Sequence, residues 1–215
     1  MMAKRQITLF LILCVSTLCM AQEVKPIEVK PDSAVSGKSY VDWHNYLDYI
    51  HIYKTVMAKD YSRIYILPID QSNIQFPEKQ DNRYPAMVNG IKNFPDIIRT
   101  QFLKRIPNLE VVILKEWPAQ VADKSLCLQL TLEEIDMGSR ALRFWVGFGA
   151  GAQSVKISGK VFSNTGEEFF NFNQKRLSSK GGLKFTYQRV LESEFENLGE
   201  DIAKVLINME KDQRK

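Results

Sequence analysis

Leu126-Cys127-Leu128-Gln129-Leu130-Thr131-Leu132-Glu133 alternates a leucine with a smaller or polar residue over eight positions. Successive side chains of a strand point to opposite faces, so the four leucines share one face and Cys127, Gln129, Thr131 and Glu133 the other. This is a strand with one buried face, which predicts a layered domain built on a sheet. At Glu134-Ile135 the alternation slips by one, predicting a bulge or the end of the pairing. Glu133, Glu134 and Asp136 have no partner of defined spacing and read as a solvated strand end.

Downstream, Gly138-Ser139 signals a turn, and Leu142–Ala152 sets Phe144, Trp145 and Phe148 beside Gly147, Gly149 and Gly151. A dinucleotide loop needs a helix after its glycines, so that phosphate meets the helix N-terminus. Here Val155, Ile157, Gly159 and Val161 alternate with Lys156, Ser158 and Lys160, which is a strand. The three glycines at i, i+2 and i+4 then form a smooth strip suited to close packing or sharp curvature. Ser163-Asn164-Thr165-Gly166 predicts a hairpin. Its returning strand is Glu167–Leu177, with Phe169, Phe170 and Phe172, and Gly181-Gly182 breaks the sheet. Leu191, Phe195, Leu198, Ile202, Val205, Leu206 and Met209 then form one stripe at helical spacing.

Upstream, Leu109–Leu114 is almost wholly apolar, predicting a strand buried on both faces or nearly so. Phe94, Ile98, Phe102 and Ile106 predict a helix whose firm part begins at Pro95-Asp96, with Asn93 as cap and Pro107-Asn108 as stop. A helical turn at Met87–Ile91 is weakened by Gly90. Arg63–Ile69 is the first core strand and Asp70–Tyr84 a surface loop. Tyr40–Tyr61 suits an extended or mixed segment packed on the domain. Its His44 and His51 lack the companion ligands of a metal site and read as partly buried polar aromatics. The fold expected is α+β: a mixed, largely antiparallel sheet of about five strands with two helices packed on one face.

Residues Met1–Ala21 carry a signal pattern: Lys4-Arg5, an apolar run from Ile7 to Leu18, then Cys19-Met20-Ala21 before the cleavage point. The run is shorter than the ~20 residues of a membrane span. No small residue precedes Cys14 or Cys19, which argues against lipid attachment. The expected organisation is signal peptide 1–21, flexible leader 22–39, one α+β domain 40–210 and a polar tail 211–215. Removing 21 residues from 215 leaves 194, with Cys127 alone remaining, so the domain is held by its core and not by a disulfide. Loss of Lys4 and Arg5 leaves 27 basic against 25 acidic residues, a net charge of +2. That balance argues against nucleic acid as a partner. No transmembrane span is expected in the mature chain.

The order of the downstream motifs is distinctive. It runs Gly138-Ser139-Arg140-Ala141-Leu142-Arg143, then Gly147-Phe148-Gly149-Ala150-Gly151-Ala152. The lysine-alternating strand, the Asn164-Thr165-Gly166 turn, Gly181-Gly182 and the amphipathic helix follow. This resembles the exported bacterial proteins of domain-of-unknown-function family 4410. The likeness runs from Arg63 to Met209 and is strongest over Gly138–Gly182. It implies a Gram-negative cell envelope and no particular activity. Many such proteins are lipoproteins, and this chain departs from them in lacking the lipid-modified Cys.

No Gly-x-Ser-x-Gly elbow occurs, both histidines lie near the N-terminus, and nothing selects a pair of acids, so no catalytic residue, cofactor or metal ligand is assigned. Arg140, Arg143, Phe144, Trp145 and Phe148 are the candidate partner-docking residues, being of types enriched in interface anchors. The competing reading has these aromatics filling the core. The function expected is a non-catalytic binding or scaffolding module, docking an envelope protein or a membrane face in the periplasm. The alternative is a small ligand binder or hydrolase acting on an envelope polymer such as a glycan.

Overall fold

The computed structural model describes residues 27–29, 37–116, 121–139, 152–178 and 186–212. Its strands are β1 (Ile27–Val29), β2 (Lys38–Trp43), β3 (Leu47–Ile52), β4 (Arg63–Ile66), β5 (Glu110–Ile113), β6 (Ser125–Asp136), β7 (Gln153–Ser163) and β8 (Glu168–Ser178). The helices are α1 (Arg83–Arg105) and α2 (Tyr187–Asp212), with a short 3-10 turn at Ala58–Asp60. The strands form one sheet in the order β1-β2-β3-β8-β7-β6-β4-β5. Strand β4 is parallel to β5 and β6, and the other pairings between strands are antiparallel. The α+β class and the mixed sheet are as expected, but eight strands replace about five. The additions come from the N-terminal third, where the sheet reaches into the stretch read as a leader, and β2 and β3 form a hairpin on β8.

Leu126, Leu128, Leu130 and Leu132 are fully buried and join Ile157, Val161, Phe170, Phe172 and Ile50 on one face of the sheet. That face and the buried stripes of both helices make one hydrophobic core. Each such side chain contributes ~1.5–3 kcal/mol of gross transfer free energy. All seven residues of the predicted α2 stripe lie in that core. The expected slip in β6 is a register shift between Leu132 and Glu134. The hairpin after β7 closes through a Gly166 N–H to Ser163 carbonyl bond of 3.1 Å, with Gly166 at φ +85°. Only glycine adopts that conformation without steric cost.

Strand β8 carries a bulge that decides which phenylalanines face the helices. Val161 pairs Phe170, but Phe162 pairs Glu168, so Phe169 is the extra residue. Its carbonyl accepts the N–H groups of both Tyr53 (2.9 Å) and Lys54 (3.0 Å), which ties the end of β3 to β8.

Two expectations are corrected. Helix α1 begins at Arg83, twelve residues before Pro95, and Pro95 lies inside it. Met87, Gly90, Phe94, Ile98 and Phe102 are buried along it, and that burial offsets the ~3 kcal/mol an interior proline costs. The helix runs beside α2 in the same direction, with Gly90 against Leu191, Phe94 stacked on Phe195 at 4.1 Å, and Gly199 against Ile98. Strand β5 is an edge strand among the described residues, with Val111 buried, Val112 and Ile113 half-buried and Glu110 exposed, and not one buried on both faces. Its apolar run reflects burial of a single face plus the loop that follows.

Candidate binding surface

The side chains that alternate with the core residues make the opposite face of the sheet, turned away from the helices. Register places them in two rows across five strands. One row is Gln129, Lys160, Asn171, His51 and Ser39, and the next is Thr131, Ser158, Asn173, Tyr49 and Val41. Val41 is the one aliphatic residue in these rows. Seven of these side chains, those of Tyr49, Gln129, Thr131, Ser158, Lys160, Asn171 and Asn173, line a depression of about 230 Å³.

Part of this polar surface is satisfied internally. Ser158 donates to Glu133 (2.6 Å), and the Asn171 amide donates to Tyr53 Oη (3.0 Å) and Glu168 (2.9 Å). Lys160 approaches Glu168 at 3.4 Å, and Lys175 approaches Glu134 at 3.8 Å. The side chains of Gln129, Thr131 and Asn173 make no hydrogen bond to another described residue. Two amides and a hydroxyl at the centre of the sheet therefore present their donors and acceptors outward.

The same face holds a serine–histidine contact, Ser39 Oγ to His51 Nδ1 at 2.6 Å. It is a structural pair. Both residues are buried, at 3% and 4% exposure, and a Cβ added to Gly37 would meet His51 Nε2 at 2.7 Å. The ring nitrogen that a catalytic triad turns to its serine is thus covered by backbone. Tyr49 Oη lies 3.0 Å from Ser39, fixing the hydroxyl from a second side. Burial also pushes the Cys127 thiol pKa up, and Cys127 is 3% exposed, so it is a packed small hydrophobe. Among the described residues no three His, Cys, Asp or Glu side chains converge as a metal site.

Of the residues singled out from sequence, Arg140, Arg143, Phe144, Trp145 and Phe148 lie outside the described residues, as do Gly147, Gly149 and Gly151. The ends that flank that stretch are polar. Gln153 of β7 pairs with Ser178 of β8, and both are nearly fully buried without a side-chain hydrogen bond among the described residues. Beside them Arg176 forms an ion pair with buried Asp201 of α2. The polar sides of β6 and β7 were legible from alternation. The assembly of the rows was not, because it depends on β3 joining β8 across more than 100 residues of sequence.

The family model described as domain of unknown function (DUF4410) matches residues 67–182, more than half of the 215-residue chain. The chain belongs to the DUF4410 family. The matched span runs from the end of β4 to just past β8, so it contains α1 and three of the five strands of the polar face, β6, β7 and β8. Curated proteins give no match. Among solved structures, a PelC dodecamer from Paraburkholderia phytofirmans is 13% identical with a TM-score of 0.40, covering 72% of this chain and 96% of that one. A crystal structure of an uncharacterized protein is 11% identical with a TM-score of 0.40, covering 69% and 92%.

Proposed function

We propose that this DUF4410 chain is an exported, non-catalytic binding module that works in the periplasm through the open face of its sheet. The observation that carries the reading is the pair of polar rows, with Gln129, Thr131 and Asn173 unengaged by other described side chains. Export is supported by the basic-then-apolar pattern of Met1–Ala21. The two rows hold one aliphatic residue in ten, which favours a hydrogen-bonding partner over a membrane surface at that part of the face. Arg140, Arg143, Phe144, Trp145 and Phe148 come in the sequence between β6 and β7, and they enter the proposal as a second contact on the same partner.

The test is crosslinking in the periplasm from a photoreactive residue at Asn173 or Thr131, with one at exposed Arg99 on α1 as control. A discrete protein adduct from the sheet positions and none from Arg99 is expected. Equal labelling from all three would remove the sheet face as the working surface. Replacing Arg143, Trp145 and Phe148 together with alanine separates docking from packing. Lost adduct with an unchanged melting curve assigns them to the partner, and a collapsed melt returns them to the core.

A second reading, a glycan on the same face, is favoured by Tyr49 standing among Gln129, Asn171 and Asn173. Amide side chains and an aromatic ring suit a neutral polyhydroxylated ligand, through paired hydrogen bonds and stacking. Adducts that shift with glycan-degrading enzymes and not with proteases would decide for it.

A further inference from the structure

We draw no further inference here: the strongest candidate, the apolar groove that Ile69, Phe76, Val88, Ile91 and Pro95 form between helix α1 and the loop after β4, carries none because nothing in the structure shows what covers it.

Discussion

A Cβ added to Gly159 would lie 2.4 Å from Cζ of Phe172 and 3.0 Å from Cδ2 of Leu130, both buried. The phenyl ring occupies the space that a side chain on β7 would need. Gly159→Ala should therefore lower stability by about 1–3 kcal/mol through overpacking, measured by chemical denaturation. Phe172→Leu in the same chain should recover part of the loss, as a double-mutant cycle would show. The inward direction of Gly159 is legible from alternation. Its partner is not, because the hairpin turn alone pairs Gly159 with Asn171, and the bulge at Phe169 shifts the register by one residue. A slip of one residue exchanges the two faces of a strand. Asp81 shows a different residue-scale effect. Hydrogen bonds from the Arg83 guanidinium and backbone N–H hold its carboxyl down to about 2 from the ordinary 3.8. The fold favours the charged form, so this contribution is complete above the ordinary value and is lost as pH falls through about 2. A carboxyl-carbon titration should place the midpoint of Asp81 near 2, and Arg83→Gln should return it towards the usual range.

At the scale of elements, the helix pair rests on close approach. Leu191 Cδ2 would meet a Cβ on Gly90 at 2.6 Å, and Ile98 Cδ1 one on Gly199 at 3.0 Å. Alanine is the better helix former by ~1 kcal/mol, yet Gly90→Ala should destabilise the protein, because buried Leu191 cannot withdraw without opening a void. A raised melting temperature for that variant would refute the packing account. Helix α2 was legible in the sequence because nothing interrupts its stripe. The first half of α1 was not, because Gly90 and Pro95 are residues that ordinarily mark a boundary. In this helix Gly90 is required by the neighbouring helix, and Pro95 is tolerated because the flanking turns bury Met87, Phe94 and Ile98. Local propensity carries no record of a neighbour, so this distinction needs the tertiary structure.

For the whole molecule, one core joins both helices to one face of the sheet, and among the described residues Lys160 and Asn173 of the other face are exposed. A chain ending at Gly182 would keep every strand and lose the α2 stripe of Leu191 to Met209. Its calorimetric trace should show no cooperative transition, since the inner face of β6, β7 and β8 would stand open to water. The central sheet and its polarity were written in alternation, and α2 in its spacing. The N-terminal hairpin escaped because β2 and β3 mix aromatics, histidine and charge on both sides, so periodicity assigns them to no face.

The pairing of β3 with β8, Ile50 opposite Phe172, also sets a timetable. The hairpin synthesised first has no neighbour to settle on until the residues around Phe172 have been made. Closing so long a loop is slow compared with forming the adjacent β6–β7–β8 meander. The early segment must therefore wait unprotected while later strands assemble, and β8 meanwhile offers a bare edge to other chains. Pulsed hydrogen exchange during refolding should show amides of β7 and β8 protected before those of β2 and β3. Aggregation should be greatest in the interval between the two.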